Sequence, residues 1–313
     1  MAVQEGTIDD DADSALGSDA ASSTASVTSS IREYRTIHGR TYHSKFGDTD
    51  YWASNDERQT EAMDINHHAL TLSIGDKLHL APLKKDIKRA LDVGTGTVLL
   101  IEIGSDFADE FPDTEVVGTD LSPIQPSWVP PNLKFEIDDC TKNWTFPRDS
   151  FDYIHIRWLV GSIPDWNELF KQAYKCCKPG GYLESYEGSA TMESDDGTVL
   201  KTSAMGQWAS FFVEGGKKLG QTFLVVDEGI QRKAMEAAGF VDIQERNIKT
   251  PVGGWPDDPK MREIGQYAQL VLEEDSEGYV LFLANAQGWS KEEVIHHGYY
   301  RQKVVWGRKP DSS

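Results

Sequence analysis

Four aspartates at the ends of three short apolar runs carry the most chemistry in this sequence: Asp92 in LDVGTGT, Asp120 in VVGTD, and Asp138 and Asp139 in FEIDDC. Gly94 and Gly96 follow the first, and glycines in a turn between strand and helix let backbone amides approach a ligand closely. An acid at Asp92 suits the ammonium of an amino-acid ligand, directly or through water, and would repel a dinucleotide pyrophosphate. A carboxylate at Asp120 can accept both hydroxyls of a ribose. Asp138 and Asp139 are placed to accept from an adenine amino group, with Ile137 or Cys140 flanking the ring. Taken alone, Asp-x-Gly-x-Gly is equally a structural turn. Acids at three successive strand ends form a constellation that reads a nucleoside bearing an amino acid.

Proton-transfer candidates are His38, His43, His67 and His68, all upstream of those runs. None has a visible orienting partner, so each reads first as a structural histidine, and the catalytic group is left unassigned. No cysteine or acid at ligand spacing completes a metal set with them. Tyr34, Tyr42, Tyr51, Trp52, Trp208, Phe211, Phe212 and Trp255 read mostly as core or interface, and any that wall a cleft would suit an apolar or planar acceptor. Cys140, Cys176 and Cys177 are odd in number and two are adjacent, which argues against a disulfide framework and for a reducing compartment.

The elements that must position these residues alternate between short apolar runs and helical stretches, the pattern of a parallel sheet with crossover helices. Strands are expected at 89–93, 115–119, 133–137, 151–156, 182–186, 240–243 and 300–306. The fifth is entered through a turn at Pro179, Gly180 and Gly181. Helices are expected from Asn55 or Asp56 to Gly75, through Glu110, over 165–177, over 230–238 and over 261–274. Residues 1–30 carry six acids, no base and little to bury, and read as a disordered tail. Residues 31–80 form an aromatic and helical cap, 81–190 the ligand-binding core, and 191–313 substrate-side helices with the final strands.

The net charge of -20 disfavours direct binding of nucleic acid, which needs clustered cations to release counterions. No apolar run approaches the roughly 20 residues that span a bilayer, and the first residues lack a secretory pattern. The expected location is cytoplasmic, nuclear or both.

The succession LDVGTGT, VVGTDLSPIQPSWVPPN, FEIDDCTKNWTF, FDYIHIRWLVGSIPDW, KPGGYLESYE and YYRQKVVWGRKP resembles the fungal LaeA-like, or TAM-domain, methyltransferases over about residues 31–310. Upstream, GRTYH, YWASNDE and DINHH are similar to that family as well. The resemblance implies an α/β class I methyltransferase fold: a Rossmann-like seven-stranded sheet with an N-terminal helical and aromatic cap and C-terminal helical insertions. It implies S-adenosyl-L-methionine as cofactor, held by Asp92, Gly94, Gly96, Asp120, Asp138 and Asp139, with Arg157 as a further lining residue. It also implies a small-molecule or protein methyl acceptor, a link to secondary metabolism and, in some relatives, a velvet-type partner protein. An acid at Asp92 and the missing third glycine set a nicotinamide cofactor aside.

One stretch departs from the family pattern. Where relatives continue GTGTG, this chain reads GTGTVLLIEIGSDFADEFP, with Val98 at the third glycine and about three additional residues. A β-branched residue at the loop-to-helix entry crowds a closely approaching ligand, and three residues rotate a helix by most of a turn. Gly104 and Ser105 weaken a continuous helix by roughly 1 kcal/mol, or mark a bulge that restores register; a shifted exon boundary is the third reading. The alternative function is accordingly a catalytically weak or inactive regulator of the same fold, acting through protein partners.

Overall fold

The computed structural model describes residues 33–37, 39–44, 51–96, 107–123, 129–287 and 299–311. Val98, Gly104, Ser105, His38 and the acidic tail lie outside them.

The hairpin β1 (Arg35–Ile37) and β2 (Arg40–Tyr42) turns through Gly39 at φ +83°. It leads to α1 (Glu57–Ser73), where Asp56 caps the start by accepting from the Gln59 amide at 3.1 Å and Gly75, at φ +83°, follows the end. The main sheet follows: β3 (Arg89–Val93), β4 (Glu115–Asp120), β5 (Leu133–Ile137), β6 (Phe151–Arg157), β7 (Cys177–Glu193), β8 (Val241–Pro251) and β9 (Tyr299–Arg308). Between these run α2 (Trp166–Cys176), α3 (Ala204–Leu219), α4 (Ile230–Ala238) and α5 (Pro259–Gln287).

The seven strands lie in the order β5-β4-β3-β6-β7-β9-β8, and only β9 runs antiparallel to its neighbours. The chain therefore moves outward from β3 in one direction through β4 and β5, then returns to build on its other side with β6 and β7. Open α/β sheets bind ligands at the carboxyl ends of the strands where the order reverses, here between β3 and β6.

Alternation along the strands sorts side chains into two layers. Leu91, Val93, Ile154 and Ile156 join a core with Trp166, Leu169 and Phe170 of α2, at the helical spacing expected from the sequence. Ala90, Val116, Leu133 and Tyr153 face the other layer, where Phe107 stacks on Phe111 and Tyr153 at 4.5 and 5.5 Å. Cys176 and Cys177 are wholly buried free thiols, and burial pushes the Cys177 thiol up to about 12. They belong to the packing, not to redox chemistry.

Several elements extend beyond their expected bounds: β8 continues to Pro251 and β9 spans Tyr299–Arg308. β7 begins at Cys177, and the turn expected at Pro179, Gly180 and Gly181 lies inside it as a bulge, with Gly180 at φ +77° and the register shifting between Phe151 and Tyr153 of β6. The expected helix over 261–274 ends where α5 breaks, at Asp275 (φ −142°, ψ 48°), and a second helical segment continues to Gln287. The Asp275 side chain accepts from the Gly278 amide at 2.9 Å, restarting the helix as a cap.

That break also anchors the cap of the molecule. Asp275 is fully buried, and its carboxylate accepts from Arg40 Nη1 at 2.7 Å and Nη2 at 2.6 Å; Arg40 also donates to Asp56 and to Ser54 Oγ. The two carboxylates hold the Arg40 guanidinium well above its ordinary range. One cation thus joins β2, the start of α1 and the middle of α5. Breaking a buried pair by removing one partner costs about 3–5 kcal/mol, and Arg58, 3.5 Å from Asp275 Oδ1, compensates part of the charge that remains and places the cost toward the lower end. Arg40→Met is therefore expected to lower the urea midpoint by the equivalent of that amount with an unchanged denaturant slope.

A second buried acid holds the loop after β6. Glu187 accepts from the Leu159 and Val160 amides at 3.3 and 2.9 Å. Burial pushes it up to about 8, against the opposing pull of those amides and of Arg157. A carboxyl raised on folding contributes stability in full below its unfolded value and loses it as pH rises through its folded value. Glu187→Gln is expected to flatten the decline in stability between the ordinary carboxylate range and about pH 8, read by chemical denaturation across that window.

Candidate cofactor site

The turn after β3 is bound to the end of β4. The Gly94 and Thr95 amides both donate to the Thr119 carbonyl at 2.9 Å, and the Gly96 amide donates to Asp120 Oδ2 at 2.7 Å. Asp120 Oδ1 accepts from the Ser122 amide at 3.0 Å, so its carboxylate bridges two loops. Gly94 and Gly96 lie at φ +73° and +68°, and a Cβ on Gly94 would meet Leu159 Cδ2 at 2.5 Å. At Gly94 both the backbone angle and the space call for glycine.

β5 continues into the next wall, its exit tied to β4 by the Asp138 amide donating to the Asp120 carbonyl at 3.0 Å. Asp139 is buried and accepts from the Thr141 amide and hydroxyl at 2.9 and 2.6 Å. Burial raises Asp138, the neighbouring charges of Asp139 and Glu136 adding to the effect, and burial pushes the Cys140 thiol up as well.

Arg157, at the end of β6, is 6% exposed and donates from Nη2 to His67 Nδ1 at 2.9 Å, while its Nε has no partner. Burial pulls the guanidinium down to about 10, with Asp92 the leading opposing charge, so it stays charged at neutral pH. His67 is pushed down to about 2 by burial and by Arg157. The imidazole is therefore neutral, and accepting at Nδ1 places its proton on Nε2, 3.4 Å from Thr71 Oγ1. His43 is likewise lowered by burial, against the pull of Asp120, and shares a short hydrogen bond between Nδ1 and Ser122 Oγ. His68 packs edge-on against Tyr267 at 4.5 Å.

These elements enclose one cleft whose lining includes Gly94, Gly96, Asp120, Asp138, Asp139 and Arg157. Six of the seven residues singled out in the sequence thus meet in one hollow. The cap closes it: His43, Tyr51, Ser54, Asn55, Gln59 and Met63 complete the wall. Asp92 does not line this cleft. It sits opposite His155 in the β3–β6 register, and its Oδ1 accepts from His155 Nδ1 at 2.8 Å in a separate small hollow with Ala90, Phe107 and Tyr153. Depth along the strand is the reason: Asp92 pairs with Gly118 and His155, two residues short of Asp120 and Arg157, so it lies below the carboxyl edge where those two reach the cleft.

The lining also holds polar atoms without partners: both side-chain ends of Asn55 and of Gln59, Ser162 Oγ, and Arg157 Nε. Buried polar groups are rarely left unpaired, so this set fits a polar ligand, and a buried guanidinium beside it fits an anionic group. Sequence reasoning missed Asn55, Gln59 and Ser162; the i, i+4 spacing of Gln59 and Met63 on one helix face was the available signal.

A second hollow adjoins the first. Trp158 lines both, and the further walls include Trp52, Trp208, Phe212, Phe223 and Tyr279. Their rings interlock, with Trp52 centroids 5.4 to 6.1 Å from those of Phe212, Phe223 and Tyr279. Trp158 takes φ +59°, and its indole lies where a Cβ on Gly188 would come within 2.6 Å. Of the aromatics considered as cleft walls, Trp52, Trp208 and Phe212 face this hollow and Tyr51 the first; Tyr42 and Phe211 are core, and Trp255 is exposed.

The model of the methyltransferase domain family matches residues 65–245 of this chain. The chain is 38% identical over 279 residues to methyltransferase pytC of Aspergillus terreus, spanning 88% of this chain and 84% of that protein. It is 36% identical over 245 residues to the secondary metabolism regulator LAE1 of Cochliobolus heterostrophus, spanning 77% and 78%. Among solved structures, phosphoethanolamine N-methyltransferase 2 of Haemonchus contortus, in complex with phosphomonomethylethanolamine and S-adenosylhomocysteine, superposes with a TM-score of 0.52 at 16% identity, covering 95% of this chain and 75% of that one. With the family model covering more than half its length and these fungal relatives spanning most of the rest, the chain belongs to the methyltransferase domain family and has the S-adenosyl-L-methionine-dependent fold.

Proposed function

We propose that this chain transfers a methyl group from S-adenosyl-L-methionine to an apolar small molecule held in the aromatic hollow beyond Trp158. The observation that carries the reading is the adjacency itself: a cleft walled by acids and unpartnered polar groups shares one indole with a hollow walled by rings. When bound, the cofactor supplies an electrophilic methyl on a sulfonium. In this reading Asp120 accepts from the ribose hydroxyls, Asp138 and Asp139 flank the adenine, and Gly94 and Gly96 allow backbone approach. Arg157, positively charged and with a free Nε, takes the amino-acid carboxylate. Asp92 acts from outside the cleft, holding His155 and lending its charge to Arg157.

Catalysis on this plan is positioning. The walls exclude water and align the acceptor with the methyl, and orientation alone can supply much of the barrier reduction. His43 and His67, both lowered by burial, contribute hydrogen bonds and not bulk proton transfer. A hollow walled by rings and without a charged side chain among the described residues suits an apolar small molecule.

A second reading follows from relatives named as regulators of secondary metabolism: the same fold presents a surface to a partner of the velvet type, in the cytoplasm or the nucleus, and binds cofactor weakly. Calorimetric titration of S-adenosylhomocysteine separates the two. Saturable binding supports transfer, and silence at millimolar ligand supports the regulator. Asp120→Ala is expected to weaken binding by about 1–3 kcal/mol through loss of charge-assisted hydrogen bonds; an unchanged dissociation constant would remove Asp120 from the site. Replacing Val98 with glycine and deleting the additional residues beside it is expected to tighten binding, measured in the same titration.

A further inference from the structure

Asn66 belongs to α1 and is 1% exposed, yet neither its Nδ2 nor its Oδ1 has a hydrogen-bond partner. It lines the aromatic hollow, on the same helix face as Gln59 and Met63 in the neighbouring cleft, at i, i+4 and i+7. A primary carboxamide with both ends unsatisfied is unfavourable in an apolar enclosure, because donor and acceptor have each lost water without replacement. The hydroxyls in the lining are committed elsewhere: Ser189 donates to Asp227 Oδ2 at 2.7 Å and accepts from the Thr191 amide at 2.9 Å, and Tyr279 donates to Met63 Sδ at 3.5 Å. No charged residue lines this hollow among the described residues.

We infer that Asn66 is the specificity-determining residue of the acceptor pocket, and that the acceptor is a planar, uncharged, largely apolar molecule with a lactam-like edge. The carboxamide offers an acceptor and a donor side by side. Its complement is an N–H beside a C=O: the ligand N–H donates to Asn66 Oδ1, and Asn66 Nδ2 donates to the ligand carbonyl. Ring walls without a carboxylate suit a neutral π-system; an amine or quaternary ammonium would find ring faces but no counter-charge. The inference rests on the proposal that this hollow receives the methyl acceptor.

The test uses the full chain and 2-quinolone, whose fused rings carry an N–H beside a C=O. Binding is read by quenching of tryptophan fluorescence and by calorimetry, with and without S-adenosylhomocysteine. Wild-type protein is expected to bind 2-quinolone at least tenfold more tightly than quinoline, which keeps the rings and lacks the paired edge. Asn66→Leu, close in volume, is expected to erase that preference, to leave quinoline binding within about twofold, and to raise Tm because the orphaned amide is gone. Equal affinity of the wild type for the two probes overturns the inference, and this comparison needs no variant. So does an unchanged preference in Asn66→Leu, or tighter binding of tetramethylammonium than of 2-quinolone. The two readings fail separately: 2-quinolone selectivity without S-adenosylhomocysteine binding would sink the transfer function and leave the pocket, whereas the converse would sink only the role of Asn66.

Discussion

The reversal of strand order at β3 is the constraint on which the rest depends. Once β4 and β5 build outward on one side and β6 and β7 on the other, the loops leaving β3 and β6 must diverge, and a crevice opens between them at the carboxyl edge. Everything assigned to the cleft is fastened to that edge. The glycine turn hangs from the Thr119 carbonyl and the Asp120 carboxylate, and the β5 exit hangs from the Asp120 carbonyl. Asp120 therefore has two duties in the chain's own architecture before any ligand is considered, holding Gly96 on one side and Ser122 on the other.

Buried ionisable groups are the second organising feature, and each instance joins segments far apart in sequence. Arg40 with Asp275 couples the hairpin to the break in α5, Arg157 with His67 couples β6 to α1, and Glu187 couples β7 to the loop after β6. Such groups cannot be left unpaired without large cost, so their geometry is strongly specified. The cap is held over the cleft by these links together with the packing of α1 on α5.

The sheet was legible because its strands are short, apolar and bounded by turn residues: β3 and β5 have the limits expected from RALDV and LKFEI, and β4 and β6 extend one residue further. Pro179, Gly180 and Gly181 read as a turn, and the chain does turn there, Gly180 at φ +77°, as a bulge within β7 between the pairs Phe151–Cys177 and Tyr153–Tyr182. The convergence of Asp120, Asp138, Asp139 and Arg157 follows from their places at strand ends, which periodicity reveals. Asp92 also stands near a strand end, but two residues deeper in the sheet than Asp120 and Arg157, where it meets His155 instead of the cleft. The break at Asp275 and the orphaned amide of Asn66 could not be read locally. Both depend on what packs beside them, and an Asn or Asp within a helical stretch has no sequence signature that separates a surface residue from a buried one.

Trp158 stands as a party wall between the two hollows, in a backbone conformation uncommon for a bulky side chain and with its ring seated against Gly188. Any change in its bulk or tilt resizes both chambers together, enlarging one at the other's expense. On the proposed assignment, the fit of the nucleoside and the range of acceptors are thus linked through a single rotamer.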